Sequence, residues 1–299
     1  MKEGGVYKYI SECSLHSLLA ALFLLMSILF MCNSNGVLAG EKKPKRIVSL
    51  NVCTDQILML LVPPERIAAL SYLARNSGIS VMHKEASAIP FTYGSAEHVF
   101  ILKPDLVLAG TYTTRATVNL LKRLGRTLIE VAPARNFEDI ETNIKMVGTA
   151  VGETKKAEAL INEMRARIQH YLPKGNEHKL DAIPFYSNGY TVGKNTLVDQ
   201  LLYHSGFTSL GRKKQFTGTR KISLETLLMN KPDLLLIGKR DFKGHALAQE
   251  VFKHPVVKNI ARTTKTISLA DALTVCGTPH TVRALKKLRN MHEKMMEAQ

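Results

Sequence analysis

A chain of 299 residues that is 45% hydrophobic and 22% charged is ordinary globular material, long enough for two cores of about 100–150 residues each. Its formal charge of +16 suits nucleic acid, an anionic surface or an anionic ligand. The basic residues, however, are spread from Lys42 to Lys294 and there is no tryptophan, so the clustered basic face among exposed aromatics that nucleic acid demands is missing.

Residues 1–40 read as a signal peptide. Lys2 and Lys8 precede an apolar run at 18–31, and Val37, Ala39 and Gly40 follow it, the layout of a secretory leader cut after Ala39 or Gly40. The run is shorter than the about 20 residues a membrane span needs, which makes an uncleaved anchor the weaker alternative. Met31 stands before Cys32, where a lipoprotein leader carries a small residue, so the mature chain is read as unlipidated. It keeps Cys53 and Cys276, too few for a disulfide scaffold but enough for one bridge.

The mature chain opens with a short apolar strand at 46–50, the polar turn NVCTD, a helical pattern ending at Pro63 and Pro64, and a second strand at 66–71. This strand, turn, helix, strand order builds a parallel α/β sheet. A helix from Ser95 to Leu102 leads into the buried strand at 105–110, then a helix at 114–125 and a strand at 127–132 complete a first lobe, 41–135. Residues 136–172 change to long helical periodicity, with Ile140, Ile144, Val147 and Val151 on one stripe. A continuous second piece of some 20 residues makes about 30 Å of helix. Such a helix either bridges two lobes or packs wholly on one, and periodicity alone does not choose. The second lobe, 173–299, restarts with a strand at 179–187, the turn NGYTVGKN and a helix closed by Gly206.

The segment SAEHVFILKPD at 95–105 has a near copy, SLETLLMNKPD, at 223–233. A single repeat so far apart suggests two similar lobes and not a solenoid. Ligands of open α/β sheets lie outside the carboxyl ends of the strands, so two facing lobes enclose a cleft. Nothing resembles a catalytic constellation. The glycines of NGYTVGKNT have the wrong spacing for a phosphate loop, no G-x-G-x-x-G follows a first strand, and no G-x-S-x-G is present. The ten histidines lack the company that metal ligation prefers. In the repeat, Ser95 and Ser223 are placed as N-caps, with Glu97 and Glu225 in the first turn. The helix dipole alone favours acids there, but the matched spacing suggests one carboxylate per lobe offered to a two-fold partner.

From about Arg46 onward, KRIVSLNVCTDQ with ERIAALS, AEHVFILKPDLVLAG, TLVDQLLYHSGF and SLETLLMNKPDLLLIG resemble, in order and spacing, the periplasmic substrate-binding proteins of ABC importers for ferric siderophores and cobalamin. The resemblance implies two Rossmann-like α/β lobes joined by one long helix, with the ligand cleft between them. It implies no enzymatic activity and no cofactor. The ligand would be a ferric chelate, with cobalamin or haem as the alternative, and the partner a transmembrane permease dimer met in the periplasm by a monomer. Glu97 and Glu225 fall on the permease-docking positions. Tyr93, Tyr112, Tyr190 and Arg220 fall on the ligand-facing loops; adjacent residues of an extended segment cannot both point inward, and of Arg220 and Lys221 it is Arg220 that aligns with the family's ligand-facing position. The lack of tryptophan departs from cobalamin binders. Cys53 and Cys276 stand in loops at strand ends. A bridge needs their Cα atoms about 4.4–6.8 Å apart, and both that bridge and two free thiols remain open.

Overall fold

The computed structural model describes residues 43–175, 177–239 and 247–298. The leader expected at 1–40 lies outside the described residues. Lys43 onward forms one compact unit.

In the first lobe, β1 (Ile47–Ser49) leads into α1 (Val52–Leu61), followed by β2 (Ile67–Ser71), β3 (Phe91–Thr92), α2 (Ala96–Ile101), β4 (Leu106–Gly110), α3 (Arg115–Arg123) and β5 (Leu128–Val131). The strands form a parallel sheet in the order β3-β2-β1-β4-β5. The order reverses beside β1, so the loops after β1 and β4 flank a topological switch point, where α/β sheets bind ligands.

The long helical region is two helices, α4 (Phe137–Ala150) and α5 (Thr154–Tyr171). They are separated at Gly152, whose φ of +70° belongs to the left-handed region that ends helices. Helix α4 packs on α1 and β5 of the first lobe, while α5 packs on α4 and on the terminal helix of the chain. The bridging element is therefore α5 alone.

The second lobe contains β6 (Leu180–Phe185), β7 (Tyr190–Val192), α6 (Leu197–His204), β8 (Phe207–Ser209), β9 (Thr219–Lys221), α7 (Leu224–Asn230), β10 (Leu234–Lys239), α8 (Pro255–Thr263), β11 (Lys265–Ala270) and the terminal α9 (Val282–Met296). Its parallel sheet runs β11-β10-β6-β8, and β7 pairs antiparallel with β9 beside it. Strand alternation distributes each sheet between two layers. Ile47, Leu106, Leu108, Leu180, Ala182, Leu234 and Leu236 enter a large core with α4, α5 and α9. Val48 and Val107 face a second layer, and Ile183, Phe185 and Leu235 a third.

The repeated segment has a folding reason. Ser95 and Ser223 cap α2 and α7 by accepting the N–H of His98 and of Thr226. Val99 and Leu227 bury themselves on the outer layers. Lys103 and Lys231 take positive φ, 47° and 33°, and turn the chain into Pro-Asp. Asp105 then accepts the backbone N–H groups of Lys45 and Arg46 at 2.6 and 3.0 Å, and Asp233 that of Asp181 at 2.7 Å. Each aspartate clamps the start of the neighbouring strand.

A second duplication joins helix to strand. Asp55 of α1 and Asp199 of α6 are both fully buried, each four residues after an asparagine and just before a glutamine. Ser71, at the end of β2, donates to Asp55 through both its backbone N–H and its hydroxyl. Ser209, at the end of β8, donates its hydroxyl to Asp199 at 2.6 Å. Asp199 also has a cation, Arg212, at 2.9 Å. Among the described residues no cation contributes at Asp55, where burial raises the carboxyl from its ordinary 3.8 to about 7 against the opposing hydrogen bonds from Ser49 and Ser71.

The sign of the resulting pH dependence is set by proton count. Native Asp55 keeps its proton up to about pH 7, whereas the unfolded chain loses it near 3.8. The native state then binds more protons through that window, and stability falls as pH rises through it and stays low above it. One pKa unit corresponds to about 1.4 kcal/mol, so the decline from this group amounts to a few kcal/mol. Asp55→Asn removes it. Urea unfolding at pH 5, 6, 7 and 8 should show the variant gaining on the parent with rising pH; parallel curves would refute the assignment.

Candidate functional site

The carboxyl ends of the two sheets face a cleft of about 540 Å³, within the range of small-molecule sites. Its first-lobe wall carries Tyr112, just after β4, with Pro133 and Arg135 after β5; the opposite wall carries Tyr186, Tyr190 and Asp271. A smaller recess of about 210 Å³ continues between Asn51, Thr54, Gly110, Tyr112 and Gly277. Both volumes lie against the loops after β4 and β5, and the smaller one also against the loop after β1.

Local geometry aims these groups. The Tyr186 N–H donates to the Tyr190 carbonyl at 2.8 Å and the Gly189 N–H to the Tyr186 carbonyl at 3.1 Å, a tight turn that holds both rings at the cleft. Burial, with the nearby charge of Asp271, pushes the Tyr186 phenol above its ordinary range. It stays protonated and available as a donor. Tyr112 is 84% exposed, a flat amphipathic ring presented at the cleft wall. The Asn143 side chain donates to the Ala132 carbonyl at 2.8 Å and fixes the loop that carries Arg135.

Cys53, at the start of α1, is joined to Cys276 of the second lobe by a disulfide with Cα atoms 5.0 Å apart. The adjoining loop lies against the first lobe because residue 277 is glycine. A Cβ there would meet the Ala134 side chain at 2.4 Å and Ile140 at 2.8 Å.

The structure brings Tyr112 and Tyr190 to one cleft and leaves Tyr93 and Arg220 outside it. Tyr93 follows β3 and rests on the rings of Tyr72 at 5.1 Å and Phe91 at 5.5 Å, an exposed aromatic ledge on the first-lobe rim. Arg220 lies on a different face from Tyr190. In the β7–β9 pair Thr191 is opposite Arg220, while Tyr190 is opposite Lys221 and Val192 opposite Thr219. Directly opposed residues share a face, so Arg220 goes with the fully buried Thr191, away from Tyr190, and its guanidinium lies 4.8 Å over the Phe216 ring. The cross-strand pairing thus places Lys221, not Arg220, opposite Tyr190.

Sequence reasoning missed Arg135, Tyr186 and Asp271. Each stands just past a strand end, at β5, β6 and β11, which is the signal that identifies them. Glu97 and Glu225 are exposed on α2 and α7, with no ion pair to either among the described residues. Hydrogen bonds from its own backbone N–H and from Ser223 lower the Glu225 carboxyl, so it is a fixed negative charge.

A model of the family described as Periplasmic binding protein matches residues 47–269. A curated relative, the ABC transporter substrate-binding lipoprotein YvrC of Bacillus subtilis (strain 168), is 28% identical over 179 residues, 56% of this chain and 56% of the relative. The chain thus spans about half the length of that curated relative. Among solved structures, the periplasmic heme-binding protein RhuT from Roseiflexus sp. RS-1 aligns with a TM-score of 0.70 at 20% identity, over 84% of this chain and 98% of that one. A protein of an ABC-type Fe3+-hydroxamate transport system from Saccharomonospora viridis DSM 43017 aligns with a TM-score of 0.64 at 19% identity, over 84% and 93%. These two likenesses concern the fold, and the family match runs from β1 into β11 across both lobes. The chain belongs to the Periplasmic binding protein family.

Proposed function

We propose that the protein is the exported substrate-binding component of an ABC importer. It captures a ferric siderophore-type iron chelate in the periplasm as a monomer and delivers it to a transmembrane permease dimer through Glu97 and Glu225. The observation that carries the ligand class is the cleft, with Tyr112 on one wall, Tyr186 and Tyr190 on the other, and Arg135 on its edge. Phenol donors and a planar guanidinium suit the oxygen-rich surface of a hydroxamate or catecholate complex. The names of the B. subtilis and S. viridis proteins support the reading. Haem is the second reading, favoured by the Roseiflexus protein's name and by a cleft lining more apolar than polar.

Titrating the purified protein separately with a ferric hydroxamate, a ferric catecholate, haemin and cyanocobalamin tests this. Tyrosine fluorescence serves as the readout, since there is no tryptophan. We expect saturable binding of a ferric chelate that Tyr112→Ala and Arg135→Gln each weaken by about tenfold. Tight haemin binding with no response to either chelate transfers the assignment to haem; cobalamin binding alone would sink both.

A further inference from the structure

Each proposed docking glutamate has a large apolar residue one helical turn away. Ile101 stands four positions beyond Glu97 on α2, and Met229 four beyond Glu225 on α7. Residues at this spacing share a helix face. Ile101 is 72% exposed and Met229 82%, among the most exposed large apolar side chains of the described residues. Packing does not require them, because Val99 and Leu227 bury the inner side of each helix. The preceding positions are also apolar, with Phe100 40% and Leu228 42% exposed. They differ in one respect, since the Arg126 guanidinium lies 4.7 Å over the Phe100 ring. Beside Met229 a recess of about 630 Å³ opens between Phe216, Ile222 and Asn230.

We infer that Ile101 and Met229 are the apolar half of a duplicated docking ridge, and that the partner is a two-fold membrane permease offering, twice, a cation flanked by an apolar pocket. The inference rests on the docking role proposed for Glu97 and Glu225. Two arguments point to this occupant. The ridge recurs with the same offset on both lobes, which a partner with two equivalent sites explains and a one-sided partner does not. Charge points the same way, since an exposed carboxylate with no ion pair among the described residues lies one turn from each apolar side chain and calls for a cation beside an apolar pocket. Exposed ion pairs alone contribute little to affinity, whereas a desolvated apolar anchor supplies the larger share.

The test measures binding of the purified, folded protein to its permease dimer in lipid nanodiscs, the permease being the one whose deletion abolishes chelate uptake in the native host. Ile101→Gln and Met229→Gln keep helix-forming residues and, at exposed positions, leave unfolding and chelate binding unchanged. The double variant should bind the permease more than about tenfold more weakly, as burial of two apolar side chains predicts. Photo-crosslinkers at 101 and 229 should both capture the same segment of one permease polypeptide. If Glu97→Ala with Glu225→Ala abolishes docking while the glutamine pair binds like the parent, the apolar ridge is overturned and the glutamate docking stands. If neither pair alters binding, both ideas fall. If the crosslinks join two copies of this chain, the ridge is a dimer contact and the inference is wrong.

Discussion

Arg212→Met is expected to destabilise the protein by about 3–5 kcal/mol, the cost of leaving a buried charge without its partner. The side chain of Asp199 is fully buried. Its Oδ1 accepts the Ser209 hydroxyl at 2.6 Å and the Arg212 Nε–H at 3.2 Å. Its Oδ2 faces the Arg212 Nη2 at 2.9 Å, out of hydrogen-bond alignment. The guanidinium is held in turn 4.1 Å over the Tyr203 ring. Methionine keeps much of the arginine stem's volume, so the loss reports the charge more than a cavity. Adding Asp199→Asn should recover most of the loss. Urea unfolding of the parent, both single variants and the double variant decides: a cycle with no coupling between the two positions would show that the pair is not a unit.

Breaking the link between Cys53 and Cys276 is expected to have the next largest effect. The cysteines are 223 residues apart, and closing so long a loop stabilises by about 2–4 kcal/mol typically, with roughly 5 as the chain-entropy limit. Cys53→Ser with Cys276→Ser, or full reduction, should lower unfolding free energy in that range. Under denaturing, non-reducing conditions the parent segment from Lys43 onward should show no titratable thiol. Two thiols per chain, or unfolding that does not respond to reductant, would rule the bridge out.

Sequence reasoning found the elements whose pattern is long enough to carry a period. The buried strand at Leu106–Gly110 and the helix at Leu197–His204 were legible because apolar runs and caps mark them locally. Strands of two or three residues, such as Phe91–Thr92 and Thr219–Lys221, were not, because they exist only through pairing with distant segments. The face on which Arg220 lies was hidden for the same reason. The repeat was read as a sign of two similar lobes offering one carboxylate each, and the structure adds a folding reason for its Lys-Pro-Asp end: Asp105 and Asp233 clamp strand starts. Asp55 and Asp199 look like surface residues in the sequence, although the shared Asn-x-x-x-Asp-Gln spacing was visible. What no local pattern contains is the serine that each aspartate meets on the next strand.

Two ties between the lobes have a mechanical consequence. Helix α5 links them along the main chain, and the disulfide joins the start of α1 to the loop before α9. A body pinned at two points keeps a single rotational freedom, about the line through the pins. Any rocking of one cleft wall about that line is smallest beside Cys53 and Cys276 and largest at the rim farthest from them. Tyr112, which lines both the narrow recess beside Cys53 and the wider cleft, stands where the still part of that motion gives way to the moving part.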